Sequence, residues 1–151
     1  MKIVQAGLDR IVYIDNQNEK DREEILKGWN LAKKAIENDE YQLIILDEAN
    51  IAIDLGIIDV DEVVDVLKNK PDNMEIVLTG RNAHPKIIEI AHLVSNIEPV
   101  KHYWDTGIAA RKGIEENKIL TKLFVCVVLN IKHFVLKSLH KMNLLDIFTI
   151  C

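Results

Sequence analysis

This chain is poor in several things at once, and each shortage removes a class of function. Only two cysteines occur in 151 residues, Cys126 and Cys151, both near the end and in no metal-ligand spacing. They make neither a disulfide framework nor a thiolate site, and a reducing, cytoplasmic setting is the simplest expectation. Aromatic residues make up 5% of the chain, too few for a surface that stacks bases. The net charge of -5 at pH 7 offers no global positive field to nucleic acid. The longest apolar run, Leu123 to Leu129, falls far short of the ~20 residues a membrane-spanning helix needs. The opening MKIVQAGLDR has no apolar signal-peptide core. Neither nucleic acid nor a membrane is expected as a partner. No Ser-His-Asp, H-E-x-x-H or C-x-x-C pattern appears, and none of the six glycines (Gly7, Gly28, Gly56, Gly80, Gly107, Gly113) is followed by lysine. The G-x-x-x-x-G-K-[ST] loop that cradles nucleotide phosphates is therefore not in this sequence.

What is there is a globular balance, 48% hydrophobic and 28% charged, in a length that suits one domain with a real core. Charge is unevenly spread. Residues 1–116 hold 14 Lys+Arg and 23 Asp+Glu, whereas residues 117–151 hold five Lys and one Asp. A shift from net -9 to net +4 marks an expected boundary near Asn117.

Residues 11–14 read as a short strand. Residues 21–36 read as a helix, because Ile25, Trp29, Ala32 and Ile36 recur at helical spacing. YQLIIL (41–46) and EIVLTG (75–80) are apolar runs that predict strands buried on both faces. Residues 59–70 predict a helix with a capping-box-like start at Asp59 and Glu62 and a stop at Pro71. Pro85 suits the first turn of a helix reaching about His92, and LVSNI (93–97) is a third strand. Alternating strands and helices predict an α/β fold with a parallel sheet. The apolar positions of 117–151 recur at steps of three or four and predict a helix, although the centre, LFVCVVLNI, also suits a buried strand.

The chemistry gathers at strand ends. LIILDEAN (43–50) runs four apolar residues into Asp47 and Glu48, which a parallel sheet would place at its carboxyl edge, where open α/β folds bind ligands. Magnesium takes such oxygen ligands and shares its shell with waters and phosphates. The other reading of the pair is two solvated acids at a strand end. LTGR (78–81) would lie beside them, and Arg81 could pair with the acids, clamp a phosphate through its planar donor fork, or simply be a surface arginine. PVKHYWDTGIAARKG (99–113) gathers Lys101, His102 and Asp105 in a loop-like stretch, which is either a site or a solvated connection.

Together these stretches are more specific than any one of them. YQLIILDEANIAIDLGIIDVDEVVDVLKNKP, then VLTGR, then PVKHYWDTGIAARKGIE, strongly resembles the ATP:corrinoid adenosyltransferases of the P-loop type, over roughly residues 3–116. The resemblance implies an incomplete P-loop NTPase-like (RecA-like) parallel sheet with flanking helices. It implies transfer of the 5′-deoxyadenosyl group of ATP to the Co(I) of a reduced corrinoid, in cobalamin biosynthesis or salvage. A flavodoxin-like electron-transfer protein would supply the reductant, and a homodimer is expected. By the same resemblance Glu48, with Asp47 beside it, would bind Mg2+, and Arg81 would lie near the triphosphate. Lys101, His102 and Asp105 belong to the matching closing stretch. Ile11 and Tyr13 fall where the family carries an aromatic-bearing loop next to the corrinoid; the alternative for Tyr13 is a core aromatic.

Two departures stand out. The family's opening strand, P-loop and helix are not in this sequence, and residues 117–151 match nothing in the family. Both are expected to reflect a truncated or misread chain, whose tail either covers the gap in the sheet or adds to its exposed edges. The rival from another class is a non-catalytic remnant that binds a corrinoid or a partner subunit.

Overall fold

The computed structural model describes residues 2–8, 10, 12–98, 100, 101, 107, 123–128 and 145–150. The fold is α/β. In chain order its elements are β1 (Lys2–Ala6), α1 (Glu19–Glu37), β2 (Leu43–Asp47), α2 (Ala49–Asp54), α3 (Val60–Lys68), β3 (Glu75–Gly80), α4 (Pro85–Ile90), β4 (Leu93–Ile97), β5 (Leu123–Val128) and β6 (Leu145–Ile150).

Local chemistry explains where the helices begin. Asn18 caps α1 by accepting the Asp21 N–H at 3.1 Å, and the Asp21 carboxylate accepts the Asn18 N–H at 2.9 Å. This is a capping box with aspartate in place of the usual glutamate. Asp59 caps α3 by accepting the Glu62 N–H at 2.9 Å, and Pro85 opens α4.

One sheet contains all six strands in the order β1-β6-β2-β3-β5-β4. β1, β6, β2 and β3 are parallel neighbours, while β5 runs antiparallel to both β3 and β4. The expected parallel sheet is present in these four strands, and the antiparallel β5, from the tail, makes the whole a mixed one. The helical reading of the tail is corrected in its described residues, where Leu123–Val128 and Leu145–Ile150 are strands. Each offers a ladder to two neighbours, and that tertiary gain outweighs a local helical period. β6 lies between β1 and β2, with Lys2 opposite Asp146 and Leu43 opposite Leu145.

The core lies on one face of the sheet. Ile44, Leu46, Ile76 and Leu78 form a single cluster with Ile25, Trp29, Ala32 and Ile36 of α1, Ala52 and Ile53 of α2, Val63 and Leu67 of α3, and Ile87 of α4. Burial on both faces is not what the structure shows. Alternate residues Leu43, Ile45 and Val77 are half-exposed, and β4 is exposed along its length. A strand at 11–14 is also corrected, since residues 12–16 are loop and turn and the first strand ends at Ala6.

Gly28 sets the spacing of α1 against β1. A methyl group there would overlap the Ala6 side chain, so glycine is needed in the helix interior, where it otherwise costs about 0.5–1 kcal/mol against alanine. Arg22 Nη2 donates to the Gly56 carbonyl at 3.2 Å, and Lys33 pairs with Glu62 at 2.6 Å, tying α1 to the segment from α2 through α3.

Candidate functional site

Strand direction decides what meets at one edge. β1, β2 and β3 are mutually parallel through β6, and β4, antiparallel to β5, points the same way as β3. The carboxyl ends of all four therefore open on the same edge. They deliver the loop after Ala6, the pair Asp47 and Glu48, the strand end Thr79-Gly80 followed by Arg81, and the segment leading to Lys101. This is the edge at which α/β sheets bind ligands.

Asp47 and Glu48 are joined through Thr79. The Thr79 hydroxyl donates to Asp47 Oδ1 at 2.5 Å and accepts the Glu48 N–H at 2.9 Å. Glu48 itself stands in the left-handed region, with φ 61°, and starts α2 without a side-chain cap bond. A non-glycine residue there costs on the order of 1 kcal/mol or more, and such strain gathers at functional sites. Its Oε2 is buried and has no hydrogen-bond partner among the described residues. Burial first, and the Asp47 charge second, hold the Glu48 carboxyl above its ordinary range, with the Arg81 charge opposing both.

Asn50, which sequence reading passed over, is fully buried two residues on, and neither atom of its amide has a hydrogen-bond partner among the described residues. An unsatisfied buried polar group costs about 1–3 kcal/mol and calls for an explanation. Gly80 makes room for it. At φ 124° it brings β3 against the start of α2, and a Cβ there would stand 3.1 Å from the Asn50 Cβ. The signal that could have pointed to Asn50 is its place one residue inside the helix that Glu48 starts.

Arg81 is half-buried, makes no ion pair with a described residue, and acts on Glu48 through its charge. Lys101 is exposed on a bend beyond β4. Tyr13 is 47% exposed and so is not a core aromatic. Ile11, His102 and Asp105 lie outside the described residues.

The donor set suits a hard cation shared with a ligand. Two adjacent carboxylates offer oxygen, one oxygen is buried and unpartnered, and the described residues contain no cluster of three or more His, Cys, Asp or Glu that would cage a metal unaided. Magnesium is usually held this way, by one or two carboxylates plus substrate phosphates and water.

The sequence model of the family described as ATP:corrinoid adenosyltransferase BtuR/CobO/CobP matches residues 1–115. A corrinoid adenosyltransferase of Sinorhizobium sp. is 46% identical over 90 residues, which are 59% of this chain and 42% of that protein. The corrinoid adenosyltransferase of Escherichia coli (strain K12) is 33% identical over 102 residues, 67% of this chain and 52% of that protein. The uncharacterized protein all2391 of Nostoc sp. is 48% identical over 82 residues, 54% of this chain and 22% of that protein. The chain thus spans about half or less of the length of these relatives. It belongs to the ATP:corrinoid adenosyltransferase family.

Proposed function

We propose that this chain carries the carboxylate side of a corrinoid adenosyltransferase site, within a P-loop NTPase-like sheet. The observation that carries the reading is the buried Glu48 oxygen, without a hydrogen-bond partner among the described residues, beside Asp47 and under the Arg81 charge at the carboxyl edge of the sheet. In the proposed reaction the Co(I) of a reduced corrinoid attacks C5′ of ATP. A Co–C bond forms, the C5′–O bond breaks, and triphosphate leaves with the electron pair. The protein's part is positioning, charge stabilisation and exclusion of water.

Glu48 and Asp47 would hold Mg2+, which when bound supplies positive charge against the triphosphate. Thr79 fixes the Asp47 carboxylate, Arg81 offers its donor fork to the leaving phosphates, and Tyr13 meets the corrinoid. Ile11, Lys101, His102 and Asp105 are proposed for the same ligands on sequence grounds. A flavodoxin-like protein is proposed as the source of electrons. Leu93, Val94 and Ile97 on the exposed edge strand β4 support a homodimer, because an open apolar edge invites pairing. Among the described residues no helix is long and apolar enough to cross a membrane.

The test is anaerobic: reduced cobalamin, ATP and Mg2+ are mixed with the chain, and the light-sensitive adenosyl product is followed. Product formation should need both Mg2+ and ATP, and Glu48→Gln should lower it. Product formation indifferent to Glu48 would overturn the site assignment. Corrinoid binding with no response to ATP would favour the non-catalytic alternative.

A further inference from the structure

The loop between β1 and α1 is fastened more thoroughly than its burial requires. Arg10 Nε donates to Asp21 Oδ1 at 2.8 Å, and Arg10 Nη2 donates to Asp21 Oδ2, closing the loop with a two-pronged ion pair. Asp21 has no solvent exposure, and its Oδ2 also accepts the Asn18 N–H. The Arg10 bond, more than any other influence, holds the Asp21 carboxyl below its ordinary range. Arg10 Nη2 also donates to the Asn16 carbonyl at 2.8 Å. Asn16 Oδ1 in turn accepts the Tyr13 N–H at 2.7 Å, and the Tyr13 carbonyl accepts the N–H groups of Asn16 and Gln17. A continuous line of bonds therefore runs from Asp21 through Arg10 and Asn16 to Tyr13.

What this line holds is not core. Residues 13–16 are all exposed, and at the tip Tyr13 is 47% and Ile14 72% exposed. The helix does not need Arg10 either, because Asn18 and Asp21 cap α1 by themselves. A buried carboxylate, an arginine fork and a backbone turn are thus spent on keeping two apolar side chains in water at the carboxyl edge of the sheet.

We infer that the Arg10–Asp21 pair is a positioning device that presents Tyr13 and Ile14 to the corrinoid in a preformed loop. This rests on the function proposed above. Arg10 and Asp21 need not touch the ligand. They raise the fraction of molecules whose loop is ready, and the apparent affinity follows that fraction.

The experiment uses the full chain with cob(II)alamin as probe and hydrogen exchange as a second readout. Arg10→Lys keeps a positive charge near Asp21 but cannot make the fork; Arg10→Met removes both. In Arg10→Lys the amides of Tyr13, Asn16 and Gln17 should exchange about a hundredfold faster while those of Ile44–Leu46 and Ile76–Leu78 keep their rates. The apparent Kd for cob(II)alamin should rise about tenfold, and further in Arg10→Met if that variant folds. Unchanged loop exchange overturns the inference. So does faster loop exchange with unchanged binding, which would make the pair merely structural. If the unsubstituted chain binds no cob(II)alamin, the proposed function fails and the ligand half of the inference falls with it. The exchange result then still decides whether the pair orders the loop.

Discussion

Two carboxylates, the buried Asp21 and the half-buried Glu48, are treated in opposite ways. Asp21 is saturated: an arginine fork and a backbone N–H occupy its oxygens, and its pKa is pushed down. Among the described residues Glu48 keeps a buried oxygen without a partner, two residues from an amide in the same condition, and its pKa is pushed up. A saturated buried acid fastens the fold. An unsaturated one carries an electrostatic cost that a ligand can relieve, which is why perturbed groups in clefts point to function. The direction of the shift, rather than burial alone, separates the two roles.

The largest effect should come from breaking the saturated side. Asp21→Asn removes the charge that faces Arg10, and its fall in urea midpoint at neutral pH should exceed the change from a substitution at Thr79, Asn50 or Glu48. The pH dependence carries the sign. A carboxyl held below its unfolded value, near 3.8, contributes stability that is full above that value and is lost as pH falls through the folded one. The unsubstituted chain should therefore lose stability below about pH 4, and Asp21→Asn should lack that part of the acid limb. If both chains show the same limb, Asp21 is not the fastening acid.

Next is the hydroxyl that bridges the two acids of the site. Thr79→Val leaves Asp47 Oδ1 and the Glu48 N–H without their shared partner. A loss of about 1–3 kcal/mol is expected from chemical denaturation, together with weaker Mg2+-dependent ATP binding by titration calorimetry. Asn50→Leu should go the other way. Replacing an unpartnered buried amide by an apolar side chain of similar size should stabilise the chain by about 1 kcal/mol, while ligand binding weakens. A destabilised Asn50→Leu would mean that the amide is satisfied after all, and the unsaturated side of the comparison would rest on Glu48 alone.

Glu48→Gln is expected to change stability least. Because the Glu48 pKa is raised, its ionised form is disfavoured by folding. That cost is absent below the ordinary value of 4.5 and enters as pH rises through the folded value. The gain from Glu48→Gln should accordingly be nil in acid and small but positive at neutral pH, with Mg2+ no longer raising the midpoint in the presence of ATP.

Much of the fold was legible because local chemistry and tertiary packing agree there. EIVLTG is β3 to the residue, and Asp59 caps α3 as its spacing with Glu62 suggested. The start of α1 was placed late because its capping box uses Asp21 rather than glutamate or glutamine. The short helix α2 gave no signal, since it begins from a left-handed glutamate with no side-chain cap. At 123–128 the strand alternative, not the helix, is what the structure shows; a six-residue apolar strand and one face of a helix look alike in a single dimension. Within the site, the meeting of Asp47 and Glu48 with the turn after β3 followed from strand ends alone. Asn50 and the Arg10–Asp21 pair did not, because one needs knowledge of what surrounds a buried amide and the other the path of the loop between β1 and α1.

The contact between Gly28 and Ala6 has a consequence for how this sequence can change over time. The contact has room for the Ala6 methyl group and not for a second one on residue 28. Enlarging residue 28 alone should be rejected, yet Gly28→Ala made together with Ala6→Gly shifts the methyl group across the contact instead of adding one. The pair should be strongly non-additive in a double-mutant cycle. Among relatives, the two sites should exchange small residues as a unit, leaving a record of α1 lying on β1 that can be read without any structure.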